Sequence, residues 1–510
     1  MELYQDNRAF NTPLTVLDSV AEQLADVDLT LPDYCPDIEK ILKCALTPKI
    51  QSKTLSGGQL QIDGVCVVSV LYVESGKKTI RCCEQTVAFS QSFTVRDAGE
   101  SDVVLTKTKP EYINCRALSP RRMVIHGAFS LYAKVIAVQK NELYTPPEEQ
   151  NLEVLTQNMR LSDLKSTCQE QFTVSEEISV AGKPPVEAVL YSKVTAGVTD
   201  AKAVSGKLML NGEIGVRLFY LTNIETGETA KLDYLLPFSQ IIDCAGMGDD
   251  TDNLLCCEVL SYDIRLKNDM LSENPAVAFD ASLCVSAQGY LSADSQVAVD
   301  VFSTEYAAAP QFCSLKTVAQ ARPVSDTFME KLTAKIDNAK ISKVLDIYAD
   351  FVTLEAIPSD GALTAKGKIN LCILALNEEN FPVFIERGCE YERRLGSAEG
   401  CNLMLFDCAR VLSISYRLSD ESSIDIRCEL KIEGGALQSE NIKAVCGAEV
   451  FEDRPVESGG CALVLYYASA GERLWDIAKE HSTKPELLQS ENAPVDAVLD
   501  SDKMLLIPML

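Results

Sequence analysis

A chain of 510 residues is longer than one ordinary hydrophobic core, so three or four domains are expected, and 46% hydrophobic with 24% charged residues describes a folded chain rather than a disordered one. The formal net charge of −27 repels phosphate backbones and anionic bilayers, which argues against nucleic-acid binding and direct membrane insertion. No apolar stretch approaches the ~18–20 residues of a spanning helix, and the opening Met1-Glu2-Leu3-Tyr4-Gln5-Asp6-Asn7-Arg8 lacks the basic start and apolar run of an export signal, so cytoplasmic residence is expected.

In chain order, the first expected element is a short helix over residues 33–44, with Asp33 as its cap and Pro36 in its first turn. A repeat then emerges. The aliphatic pair Ile41-Leu42 is followed by the glycines Gly58 and Gly64 and by the run 65–72; Val189-Leu190 by Gly206, Gly212 and 213–220; Val344-Leu345 by Gly361, Gly367 and 368–375. In all three places sixteen positions separate the second aliphatic from the first glycine and six more reach the second. After the second glycine, Cys66, Val68 and Val70 alternate with their neighbours, as do Ile214, Val216 and Leu218, and Ile369, Leu371 and Ile373. Period two is a strand with one buried face, and the glycines fit turns or bulges between paired strands. Further strands follow at 123–138, 276–291 and 411–432, the last interrupted by a polar turn at 417–423. The fold class is therefore mainly β, with three tandem sandwich- or barrel-like repeats at 1–145, 146–310 and 320–455. Linkers are expected at 144–150, 307–324 and 452–460.

After Gly460 the pattern changes to strand, helix, helix, strand, forming a small α+β module over 461–510. Leu474, Ile477 and Ala478 recur at helical spacing, Thr483 and Glu486 frame a capping box with a proline in the first turn, and residues 504–508 close as a strand.

Nineteen cysteines in a reducing compartment read as thiols acting as small buried hydrophobes, with no disulfide and no metal site expected; no C-x-x-C occurs. The two histidines, His126 in a strand and His481 after the first module helix, read as structural and capping residues. There is no G-x-x-x-x-G-K-[ST] loop and no nucleophile elbow, so neither a cofactor nor an enzymatic activity is expected.

The module resembles a LysM domain through Tyr466, Gly471, Leu474, Trp475, Ile477, Ala478, Leu487, Leu488, Asn492 and Ile507-Pro508. It departs from that pattern at Glu472, where aspartate is usual, and at Asp500-Ser501-Asp502, where Pro-Gly-Gln is usual. With Leu31-Pro32-Asp33-Tyr34-Cys35-Pro36-Asp37-Ile38 upstream and the three glycine-framed repeats, the whole chain resembles the clostridial SPOCS-domain spore-morphogenesis proteins of the SipL type, and more distantly those of the SpoVID type. In the third repeat Ala375 stands where Tyr72 and Tyr220 stand in the others. The resemblance implies a mother-cell scaffold at the forespore surface in coat assembly, its LysM contacting a coat-basement ATPase like stage IV sporulation protein A.

Two readings of the module remain open: an adaptor for that protein, or a binder of N-acetylglucosamine glycan in peptidoglycan. Four basic against eight acidic residues over 461–510 give the module a net charge of −4, which favours a protein partner over an anionic wall polymer. The expected binding surface comprises Gly471, Glu472, Arg473, Trp475, Ser490, Asn492 and Pro494, with Trp475, the only tryptophan, left partly outside as an anchor.

Overall fold

The computed structural model describes residues 9–96, 99, 102–147, 151–180, 182–266, 276–336, 340–420, 422–456 and 461–509. The opening octet, which bears on an export signal, lies outside these, as does 457–460 of the expected third linker, whose residues 452–455 are strand. The first unit runs β1 (Ala9–Leu24), β2 (Val27–Thr30), β3 (Ile38–Ser56), β4 (Gln59–Glu74), β5 (Ile80–Thr94), β6 (Val103–Ser119) and β7 (Arg122–Glu142). The second runs β8 (Leu152–Ser179), β9 (Ala188–Val204), β10 (Lys207–Asn223), β11 (Glu228–Asp243), β12 (Asp252–Leu266) and β13 (Ala276–Ser303). The third runs β14 (Tyr306–Lys335), β15 (Ile341–Val352), β16 (Glu355–Ser359), β17 (Ala362–Asn377), β18 (Pro382–Leu395), β19 (Leu403–Asp420) and β20 (Ser423–Pro455). At the C-terminus come β21 (Leu463–Ala468), α1 (Leu474–Glu480), α2 (Pro485–Glu491) and β22 (Lys503–Pro508).

Each unit is two antiparallel sheets packed face to face. One sheet is centred on the glycine-framed strand, in the orders β3-β4-β5, β9-β10-β11 and β15-β17-β18, with β16 continuing the β15 edge. The other is centred on the last long strand, β7, β13 or β20, flanked by the first and the penultimate strands of its unit. The three repeat segments thus occupy equivalent central positions. The alternating residues do what their period requires: Cys66, Val68 and Val70 face Met123 and Ile125; Ile214, Val216 and Leu218 face Phe279 and Ala281; Ile369, Leu371 and Ile373 face Ile424 and Ile426.

The glycines have two distinct jobs. Gly58, Gly206 and Gly361 turn with φ of +75°, +78° and +75°, a left-handed conformation that side chains disfavour. Gly64, Gly212 and Gly367 sit mid-strand, paired directly with Phe89, Phe238 and Tyr391. A Cβ on them would lie 2.5, 2.3 and 2.6 Å from those rings, so the missing side chain is the space in which the neighbouring aromatic lies. The opposite edge strand changes register beside each of these glycines.

The units do not hang as beads. Leu42, Leu190 and Leu345, the second residues of the aliphatic pairs, converge in one cluster with Leu71, Phe219 and Leu374, which also hold equivalent repeat positions. A second shared cluster gathers Val103, Leu105 and Ile136 with Leu254 and Tyr290 and with Val318, Leu405 and Leu437. The long strand ends meet again where Phe10, Leu161, Val297 and Ala444 pack together. The three units therefore form one body with a three-way internal seam.

Four expectations are corrected. Residues 38–44 belong to β3, because pairing with β4 satisfies their backbone from Ile38 opposite Glu74 onward, and no helix forms there. Residues 307–324 lie within β14, not in a linker, and the third unit accordingly begins at Tyr306 rather than near 320. Cys168 and Cys244, 76 positions apart, form a disulfide between β8 and the end of the β9–β11 sheet. Thr483 does not cap α2; its hydroxyl donates to the Pro508 carbonyl at 2.6 Å and ties the helix pair to β22. The break expected at 144–150 falls between β7 and β8, with 148–150 outside the described residues. No helix among the described residues is long and apolar enough to cross a membrane.

Candidate interaction site

Polar chemistry concentrates first at the seam. Asp350 on β15 accepts from Lys193 of β9 at 2.7 Å and lies 3.5 Å from Lys43 of β3, so one carboxylate binds all three units. Burial alone would push its pKa up; the two lysines prevail and hold it below the ordinary aspartate range. Lys43 also donates to Glu386 at 2.5 Å, and Tyr191 donates to the buried Asp346. Lys43, Tyr191 and Asp346 are the residues that follow the aliphatic pair in the three repeats. The charged groups here are held by one another, which is the chemistry of a joint.

The buried free cysteines behave as packing residues. Burial pushes the thiols of Cys66, Cys372 and Cys428 up to about 12, far from the thiolate that nucleophilic or ligating chemistry needs. His126 is exposed and sits 3.1 Å from Asp26, while His481 ends α1, its N–H donating to Ile477 O and its ring set edge-on to Tyr466.

The C-terminal module has the expected order of strand, helix, helix, strand, with β21 and β22 antiparallel. Its core is Ala468, Leu474, Ile477, Ala478, Leu488, Leu505 and Ile507. The residues expected to bind a partner fall into two groups. Gly471, with φ of +91°, donates to Leu499 O at 2.8 Å, and Leu474 donates to Ala497 O, so the loop before α1 is stitched to residues 497–499. Glu472 accepts from the Tyr466 hydroxyl and the Ser469 N–H, and Arg473 is paired with Asp476 at 2.7 Å. The second group is fastened elsewhere. Asn492 donates to Leu488 O and Leu506 O and accepts from Leu506 N, which joins α2 to β22. Ser490 donates to Leu487 O, and Pro494 follows a cis peptide bond. Gly471, Arg473, Ser490 and Pro494 are exposed.

Trp475 is not an exposed anchor. It is 8% exposed, its ring set edge-on to Phe302 of β13 with centroids 5.0 Å apart. Its indole N–H donates to Asp300 at 2.8 Å, and Lys479 one turn on donates to both oxygens of the same carboxylate at 2.7 and 2.8 Å. Burial works against ionisation of Asp300, yet the bonds from Lys479 and Trp475 hold its pKa below the ordinary range. The α1 face is thus the joint between the module and the second unit. The helical stripe identified the inward residues but carried no signal of what would cover the tryptophan.

With that face used, a row of exposed large apolar side chains remains on the outer side of the module's sheet. Leu465 (65% exposed) pairs with Leu506, Tyr467 (71%) pairs with Met504 (66%), and Leu463 extends the row, while Leu505 and Ile507 alternate into the core. Sequence reasoning missed this face. The signal was present: Leu463-Val464-Leu465-Tyr466-Tyr467 and Met504-Leu505-Leu506-Ile507 are apolar on both faces, whereas a surface strand that meets only water alternates.

The family model described as SipL, SPOCS domain matches residues 37–118 and 185–267. These spans cover β3 through β6 of the first unit and the equivalent β9 through β12 of the second. No curated protein and no solved structure matches the chain.

Proposed function

We propose, from the premise that this chain is a SipL-like SPOCS-domain protein, that it is a non-enzymatic scaffold of sporulation whose three joined β units support a LysM-like module that recruits another protein. The SPOCS segments connect the chain to a sporulation-related interaction role. What carries the finer reading is the apolar row Leu463, Leu465, Tyr467, Met504 and Leu506 on a module whose opposite side is tied to the body. Exposed contiguous apolar side chains mark interfaces on otherwise soluble surfaces, and aromatic and Met residues are enriched at their centres. The partner that the family resemblance implies is a coat-basement ATPase like stage IV sporulation protein A, met in the mother cell at the forespore surface.

The test is binding of the full chain to that purified ATPase. Leu465→Asp with Tyr467→Ser, both on the solvent face, should weaken binding at least about tenfold, ~1.4 kcal/mol, with the fold retained. Unchanged binding by a folded variant would remove the sheet face from the reading. The second reading, binding of N-acetylglucosamine glycan, draws on the exposure of Gly471, Arg473, Ser490 and Pro494 beside the helices. Co-sedimentation of the full chain with purified peptidoglycan, sensitive to Gly471 and Pro494 substitutions but not to the sheet-face pair, would favour it.

A further inference from the structure

Beyond this reading, one pair of thiols stands apart from the buried cysteines. Cys446 is exposed and Cys313 half-buried, and they lie on the paired strands β20 and β14. The register runs Cys313 opposite Ala444 and Phe312 opposite Val445, then shifts so that Gln311 faces Gly447. Cys446 is therefore the extra residue of a bulge. That bulge brings its sulfur back across the ladder to 3.5 Å from Gln311 O. The Cys313 thiol, two positions along β14 from Gln311, is pushed above the ordinary thiol range first by burial and then by its neighbour Cys446. Two neighbouring thiols on paired strands, the bulged one open to solvent and reaching across the ladder, have the arrangement of an attacking and a resolving cysteine.

We propose that Cys313 and Cys446 form a thiol–disulfide exchange site whose co-reactant is a small-molecule disulfide such as oxidised glutathione. Cys446, as thiolate, attacks one sulfur of the donor, and the S–S bond breaks to release one thiolate. The mixed disulfide on Cys446 is then attacked by the Cys313 thiolate, which forms the Cys313–Cys446 bond and expels the second thiolate. The two protons lost by the cysteines appear on the two released thiols, so the cysteines are oxidised by two electrons and the donor is reduced by two. The product staples β14 to β20 beside Ala444 and Val445, through which the third unit packs on Val297 and Val301 of the second.

The test uses the full chain incubated with oxidised glutathione, then alkylated, digested and mapped by mass spectrometry, with the Cys168–Cys244 peptide as an internal reference. A Cys313–Cys446 cross-linked peptide should accumulate. In Cys313→Ser the glutathione adduct on Cys446 should persist at least about tenfold longer than in the unaltered chain, because the resolving thiol acts intramolecularly. Circular dichroism of both chains checks the fold, and Cys446→Ala replaces Cys313→Ser should that variant fail to fold, with loss of all adduct at this locus expected. A stable adduct on Cys446 in the unaltered chain beside a free Cys313, no reaction at either, or Cys446 joined instead to the exposed Cys461 would each overturn the proposal.

Discussion

The indole N–H of Trp475 donates to the carboxylate of Asp300, 175 positions earlier in the chain, at 2.8 Å. Because Trp475 is the only tryptophan, its fluorescence reports this joint directly. Asp300→Ala removes the acceptor of three hydrogen bonds from the module's Trp475 and Lys479 and of a fourth from the Val301 N–H. The joint should weaken by about 1.5–3 kcal/mol, towards the lower figure because Lys479 is partly exposed. The emission maximum should shift to the red while far-UV circular dichroism is unchanged.

The same joint has a pH dependence of known sign. Asp300 has a lowered pKa in the folded protein, so its contribution is complete above the unfolded value of about 3.9 and is lost as pH falls through the lower folded value. An acid titration should therefore hold the Trp475 emission constant down to about pH 4 and shift it to the red only below that. A transition centred near pH 6 would assign the change to another group.

Asp350 is the single carboxylate shared by Lys193 and Lys43 at the seam. Asp350→Ala leaves Lys193 without that partner and should cost about 2–3 kcal/mol in urea denaturation, less than for a fully buried pair because the Lys193 side chain is 27% exposed. Asp350→Leu combined with Lys193→Met should recover part of the loss.

Leu374 is fully buried where the three repeats converge. Leu374→Ala should destabilise by about 2–5 kcal/mol. Because the cavity opens between units, all three should unfold at lower denaturant together, which hydrogen exchange resolved by peptide would show.

Tyr72 donates to Pro36 O at 3.3 Å and Tyr220 to Pro184 O at 3.2 Å, each across 36 positions. Tyr72→Phe and Tyr220→Phe should each cost about 1 kcal/mol by the same denaturation assay, the contribution of one hydrogen bond. In the third repeat Ala375 has no hydroxyl to donate, so this bond has no counterpart there.

What the sequence made legible was local. The alternation after Gly64, Gly212 and Gly367 and the fixed offset from each aliphatic pair located three equivalent central strands and their buried faces, because period and turn geometry are properties of neighbouring residues. Elsewhere distant partners decide. Residues 307–324 carry Pro310 and Pro323 and read as a linker, yet β14 is an edge strand, where a missing N–H can be tolerated. Residues 38–44 could have wound into a helix but find β4 instead. Trp475 lies in the helix that its spacing predicts, and its burial depends on Asp300 and Phe302, which no local pattern connects to it. The disulfide between Cys168 and Cys244 is invisible for the same reason.

At the three-way seam, one position of the repeat is occupied by Lys43, Tyr191 and Asp346. A homotrimer of separate copies would be compelled by symmetry to set the same side chain at all three corners, lysine among lysines or aspartate among aspartates. Fusing the copies into one polypeptide lifts that constraint. The corners can then differ, and here the Tyr191 hydroxyl meets Asp346 while Lys43 turns to Asp350 and Glu386. The covalent linkage fixes the order of the copies as well as their number, so the surface they present has a defined first, second and third side. A single module attached to the second can then stand at one place only.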